Sequence, residues 1–360
     1  MKTTVVRMDP RRVDDAAKEA LREAGRILKR GGLVVFPTET VYGLGADAFN
    51  EEAAAKIYEA KGRPSDNPLI VHIADVSDLD RLLENTGEQA LRAAKTLADA
   101  FWPGPLTMVL NKTADLPLQT TGGLSTVAVR LPANETARML IREGGGFVAA
   151  PSANVSGRPS PTSAAHCIAD LDGRVDMILD GGDCVIGLES TIVDLTGSEP
   201  EILRPGKITE EEILAVLGLK KENMRTEAAV IDETGDEKPR APGMKYRHYA
   251  PQGVLTVVQG EASRVREAID KLLAQARTAG RRTGVIVTAE SEDYYRADAI
   301  LCRGCAYDRE ALAHNLYRVL RGMDEAGVQD IFFELPDREG CTDAIINRLY
   351  KACGGRVKEV

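Results

Sequence analysis

Residues 50–73 read NEEAAAKIYEAKGRPSDNPLIVHI, and this stretch decides how the chain around it folds. Asn50 stands as the N-cap of a helix over 51–60. Leu69–Ile73 is a short apolar run of strand character. Between them, Lys61-Gly-Arg63-Pro-Ser-Asp-Asn67-Pro carries two cations and a glycine in a loop pinned by Pro64 and Pro68. Such a loop holds a phosphate at little ordering cost. It reads equally as a plain solvated connection, with His72 a core-edge histidine.

The same helix–strand grammar extends outward. Asp14 and Asp15 open a first helix, Ala17, Leu21, Ala24 and Leu28 recur at helical spacing, and Lys29, Arg30 and Gly31–Gly32 close it. Leu33–Phe36, Leu106–Leu110, Thr126–Arg130, Phe147–Ala150, Met177–Leu179 and Thr191–Leu195 are strand-like runs. Helices are expected at 88–100, 135–142, 163–170 and, with Thr209 and Glu212 as a capping box, 210–217. Residues 1–210 thus form a mixed α/β domain. Residues 211–253 are expected to link it to the rest, because Lys220–Pro242 is polar with little periodicity. That segment ends in PGMKYRHYAP, aromatic and basic, an unusual composition for a spacer. From 254 to 360, strands at 254–258, 284–288, 299–302 and 330–335 alternate with helices at 263–279, 309–325 and 342–352, which indicates a small parallel doubly wound domain. It has no GxGxxG, so its fold alone does not make it a dinucleotide site.

Composition narrows the function. Of 360 residues 43% are hydrophobic and 28% charged, a globular balance. The net charge is −9, and residues 1–210 hold 23 basic against 30 acidic residues. That balance argues against a dedicated DNA reader. No apolar run approaches the ~18–20 residues of a membrane span, and MKTTVVRMDPRR lacks a signal-peptide core. Six irregularly spaced cysteines make no secreted disulfide framework, so a cytoplasmic protein is expected.

Five further polar segments could carry chemistry. FPTETVYGLG (36–45) runs a strand end into a glycine-bearing turn, where Thr38 and Thr40 either bind a small polar ligand or cap the turn. APSANVSGRPS (150–160) joins a strand to a helix with small hydroxyl and amide donors, suited to an anion or to an ordinary connection. STVAVRLP (125–132) puts Arg130 at the end of an apolar strand, where the charge needs a structural or a ligand carboxylate. GLEST (187–191) and LRPG (203–206) complete the set. The four histidines have no paired ligand spacing, and neither a GxSxG nor a P-loop occurs. Cys302-Arg-Gly-Cys305 is a lone CxxC, read as structural in the absence of a second pair.

Taken together and in order, FPTETVYGLG, KGRPSDNPLIVH, STVAVRLP, APSANVSGRPSPT, GLESTIVD, LRPG and PGMKYRHYAP resemble the YrdC-domain family, specifically its long two-domain threonylcarbamoyl-adenylate synthases. Each motif alone is weak; seven in register are specific, and none departs at a motif position. The resemblance implies an α/β chain with a YrdC-like, twisted mixed-sheet first domain and a smaller Rossmann-like parallel second domain. It implies that L-threonine, bicarbonate and ATP, with Mg²⁺, give threonylcarbamoyl-AMP and pyrophosphate. A threonylcarbamoyl-transferase complex then passes the group to adenosine 37 of tRNA. Thr40, His72, Arg130, Ser190 and the Ala150 backbone match positions lining the threonine pocket. Arg63, Asn67, Thr126, Ser152, Ser160 and Arg204 match positions around ATP, with Lys61 beside them; Lys61 and Arg63 are expected to serve catalysis. Tyr246 and His248 lie in a segment resembling the loop that covers the site.

Two rivals remain at this point. A non-enzymatic tRNA- or double-stranded-RNA-binding module is opposed by the −7 charge of residues 1–210 (23 − 30) and by the 4% aromatic content. Carbamoyl transfer of the hydrogenase-maturation type is opposed by the lack of acylphosphatase and zinc-finger-like segments.

Overall fold

The computed structural model describes residues 2–9, 14–226, 239–244, 248–336 and 341–360. The first strands and helices are β1 (Thr4–Arg7), α1 (Asp15–Lys29), β2 (Val34–Phe36), β3 (Gly43–Asp47), α2 (Glu51–Lys61), β4 (Ile70–Ile73), α3 (Leu79–Leu82) and α4 (Glu88–Phe101). They are followed by β5 (Leu106–Asn111), β6 (Thr126–Arg130), α5 (Glu135–Glu143), β7 (Phe147–Ala150), α6 (Ala164–Leu171), β8 (Met177–Asp180), β9 (Thr191–Asp194), β10 (Glu201–Arg204), α7 (Glu210–Leu217) and β11 (Arg225–Thr226). The last part holds β12 (Val254–Gly260), α8 (Ala262–Thr278), β13 (Thr283–Val287), β14 (Ala299–Cys302), α9 (Arg309–Glu325), β15 (Asp330–Pro336), α10 (Asp343–Cys353) and β16 (Val357–Glu359).

Among the described residues, β1 to β11 form one mixed sheet in the order β1-β8-β2-β3-β7-β4-β6-β5-β9-β10-β11. The strands β12 to β16 form a second, all-parallel sheet in the order β14-β13-β15-β12-β16. An α/β chain with a mixed and a parallel sheet is the expected fold class. Alternation along β2 shows how the large sheet is covered: Val35 packs with α2, α4 and α6 residues, whereas Val34 and Phe36 pack with α1 and α5. The second sheet seals its core with Val258, Val285, Val287 and Phe332 against Val265, Ile269 and Leu273 of α8.

Local signals fix the elements around the site. Asn50 caps α2 by accepting from the Ala53 amide at 3.0 Å. At the other end of α2, Gly62 takes φ +60, the left-handed conformation that turns the chain into the polar loop. Thr209 and Glu212 close a reciprocal capping box on α7.

Two segments differ from the sequence reading. Gly43–Asp47 is not a turn but strand β3, antiparallel to both β2 and β7. Its glycines answer crowding: a Cβ on Gly45 would lie 2.8 Å from Val148 and 2.9 Å from Phe36. The chain divides into two compact units, the first comprising 1–156, 161–185 and 189–245, the second 157–160, 186–188 and 246–360. Polarity suggested a linker over Lys220–Pro242, yet within it β11 pairs with β10 and Arg240 clamps Asp194 and Glu201 at 3.1 and 2.8 Å. Fully buried Ala241 follows it into the first unit. Polar side chains can pin a segment to a sheet edge as firmly as apolar ones, and hydropathy does not register this. No helix among the described residues is long and apolar enough to cross a membrane.

Candidate active site

Register places the candidate threonine residues in one row. His72 on β4 pairs with Arg130 on β6, and Arg130 pairs with Thr107 on β5. The next strand begins at Thr191 opposite Leu106, which brings Ser190 up to Thr107. Paired residues project from the same face of a sheet, so four strands deliver these side chains to one place.

Arg130 is only 4% exposed, and three neighbours hold its guanidinium. It donates to Glu39 Oε1 at 2.6 Å, to Thr40 Oγ1 at 2.8 Å and to the Gly104 carbonyl at 3.3 Å. Thr40 Oγ1 also lies 2.9 Å from Thr38 Oγ1, which donates to the Val41 carbonyl. Glu39 Oε2 is buried with no hydrogen-bond partner among the described residues. His72 packs edge-on against Phe36, its Nδ1 3.1 Å from the Ile70 carbonyl. Burial and the Arg130 charge push its imidazole down to about 3, so it is neutral at physiological pH.

Ser190 forms the other wall. Its Oγ is 2.7 Å from Thr107 Oγ1 and accepts from Arg204 Nη2 at 3.2 Å. Arg204 further donates to the Ser190 carbonyl from Nη2 and Nε and to the Pro242 carbonyl from Nη1. Ser190, expected at threonine, and Arg204, expected at ATP, are therefore in direct contact. Ala150 lies on β7 opposite Ile70 and is buried.

The Lys61–Asn67 loop is tied down by its own cations. Arg63 folds back to donate to the Asn67 carbonyl (3.2 Å), Asn67 Oδ1 (2.6 Å) and the Pro68 carbonyl (3.0 Å). Lys61 Nζ reaches across to the Ser152 and Asn154 carbonyls, and the Lys61 carbonyl receives the Ser156 amide. Ser152 Oγ donates to Asn154 Oδ1 at 2.6 Å. Two sequence-distant polar loops are thereby joined through one buried ammonium. Thr126, half-buried, begins β6. Ser160 is buried and belongs to the second unit, as does His248. His248 stacks obliquely on Tyr249, whose φ of +65 is a strained conformation for a bulky residue and whose ring stacks on Tyr317. Tyr246 lies outside the described residues.

Sequence reading missed Glu39 and Thr107. Glu39 hides between two threonines that already explain the segment, and Thr107 looks like a β-former in an apolar strand. The available signal for Thr107 was one hydroxyl in the otherwise apolar run LTMVL. Among the described residues, no group of three or more His, Cys, Asp or Glu is placed to hold a metal ion.

Residues 26–206 match the family model described as telomere recombination, and residues 208–354 match that of the threonylcarbamoyl-AMP synthase C-terminal domain. The threonylcarbamoyl-AMP synthase of Pyrococcus abyssi is 46% identical over 94% of this chain and 96% of its own length. That of Bacillus subtilis is 47% identical over 94% of each. The solved structure of P. abyssi Sua5 complexed with L-threonine superposes with a TM-score of 0.88 at 44% identity, covering 100% of both chains. This chain belongs to the threonylcarbamoyl-AMP synthase family, nucleotidyltransferases whose known role is the threonylcarbamoyl modification of tRNA.

Proposed function

We infer that this chain converts L-threonine, bicarbonate and ATP into L-threonylcarbamoyladenylate and pyrophosphate. The observation that carries the reading is the row His72–Arg130–Thr107 with Ser190, a buried site lined by a cation and hydroxyls. In it Arg130 takes the threonine carboxylate, with Thr40 and Ser190 supplying hydroxyls and neutral His72 and the Ala150 backbone closing the wall. Arg204, Asn67, Thr126, Ser152 and Ser160 receive ATP. Arg63 and Lys61 brace the loop facing it, adding positive charge where phosphate charge develops. ATP enters as its Mg²⁺ complex, the ion neutralising phosphate oxygens.

Threonine's neutral amine attacks the carbon of bicarbonate, and water leaves carrying one amine proton, to give a carbamate. A carbamate oxygen then attacks the α-phosphorus, and pyrophosphate leaves. The nucleophile is already anionic, so the protein's task is to hold three anions together and exclude water from a labile mixed anhydride. We assign this catalysis to residues 1–210 and the cover to the segment around Tyr246 and His248 within 211–253, anchored by 254–360. The product passes to a threonylcarbamoyl-transferase complex acting on tRNA, in the cytoplasm.

The test is pyrophosphate release from ATP with bicarbonate and each of threonine, serine and glycine. Threonine should exceed serine by about 10-fold or more, the discrimination that one methyl group supports. Equal turnover with all three would remove the pocket assignment.

A further inference from the structure

Ser190 and Thr107 share one hydrogen bond that either hydroxyl can donate, and the pocket assignment of Ser190 decides its direction. A hydroxyl has one hydrogen to give and two lone pairs to fill. Thr107 is 0% exposed, and Ser190 Oγ is its one side-chain hydrogen-bond partner among the described residues. Whichever way the bond runs, one of the two hydroxyl hydrogens lacks a protein acceptor among the described residues; a ligand oxygen at Ser190 satisfies both only when Thr107 donates to Ser190. The Arg204 guanidinium can only donate, and it gives Nη2–H to the same Ser190 oxygen. Both lone pairs of Ser190 Oγ are then filled. Its own hydrogen has no protein acceptor among the described residues, although Ser190 is only 1% exposed.

We propose that Thr107 is a positioning residue that makes Ser190 an obligate hydrogen-bond donor to an acceptor oxygen of the bound amino acid. The inference rests on the threonine-pocket reading above. It states which way the polarity of the pocket runs: Ser190 gives and never takes, so this corner of the site selects an oxygen with a free lone pair and rejects a donor group. Without Thr107, Ser190 regains an empty lone pair, its hydrogen rotates freely, and that selectivity is lost.

The full-length enzyme tests this by calorimetric titration of amino acids, with steady-state KM values for threonine and ATP. Thr107→Val keeps the shape and deletes the hydroxyl, Thr107→Ser restores it, and Ser190→Ala removes the group acted upon. Thr107→Val should weaken threonine binding by about 2–12-fold, the worth of one oriented hydrogen bond, with the KM for ATP unmoved. Thr107→Ser should bind like the parent. Thr107→Val/Ser190→Ala should bind no worse than Ser190→Ala. Titrating 2-aminobutyrate, which lacks the side-chain hydroxyl, separates the two acceptors. If the carboxylate accepts, Thr107→Val weakens 2-aminobutyrate as much as threonine; if the side-chain hydroxyl accepts, only threonine is weakened. Parental affinity in Thr107→Val, or an undiminished effect of that change in the Ser190→Ala background, overturns the positioning role. Unchanged threonine binding in Ser190→Ala overturns the pocket assignment instead, and this inference with it.

Discussion

Replacing Arg130 with glutamine should damage the fold before it damages binding. The Arg130–Glu39 pair is enclosed, with side-chain exposures of 4% and 11% and a 2.6 Å contact. Arg130 bonds Glu39 Oε1, and Glu39 Oε2 has no hydrogen-bond partner among the described residues, so the carboxylate depends on Arg130 for its compensation. Removing one member of a buried pair costs about 3–5 kcal/mol, because the remaining charge stays out of water. The loss of donors to Thr40 and the Gly104 carbonyl places Arg130→Gln toward the upper end. At about 2–4 °C per kcal/mol for a unit of this size, the melting transition should fall by about 6–20 °C. Glu39→Gln should cost less, since the amide oxygen still accepts and Arg130 keeps its other two acceptors. The double variant buries neutral amides in place of charges and should recover at least half of the Arg130→Gln loss. Thermal and urea unfolding followed by circular dichroism read all four proteins. An Arg130→Gln cost below about 1 kcal/mol, or a double variant no more stable than the single, would refute the claim that Glu39 depends on Arg130 for its compensation.

Two further outcomes follow from the same packing. Because His72 is held near 3 in the folded chain, against about 6.5 unfolded, the unfolded chain takes up the proton first as pH falls. Its contribution is intact above pH 6.5 and drains away toward pH 3; at pH 5 the loss is about 2 kcal/mol. His72→Gln should therefore flatten the fall in urea midpoint between pH 7 and pH 5, and an unchanged slope would contradict the burial argument. Gly45→Ala should cost about 1–3 kcal/mol through overpacking, since its methyl would press on Val148 and Phe36; a melting midpoint equal to the parent's would show that the strands yield.

Much of the fold is written in short-range chemistry. The capping residues Asn50 and Thr209, the glycine stop after Lys61 and the β-branched run Thr126–Arg130 each act over a few residues, and the corresponding elements lie at the expected positions. Strand β3 was not legible because its glycines serve a contact with Val148, about a hundred positions away in the chain. The pairing of Arg240, in the polar Lys220–Pro242 stretch, was not legible for a related reason: Arg240 finds its carboxylates only once β9 and β10 lie side by side.

The site divides in the same way. The sequence by itself determined which residue types were available: an arginine at the end of an apolar strand, hydroxyls beside glycines, cations in a proline-bounded loop. Their motif order determined the family. Only the tertiary structure decided what those groups do to one another. It spends Arg63 on its own loop, uses Lys61 to join that loop to 152–154, sets Glu39 against Arg130, and turns Thr107 toward Ser190. Hydrogen-bond direction and charge compensation depend on distances of a few ångströms between residues up to ninety or so positions apart. Those distances are set by strand register, and register is a property of the assembled sheet.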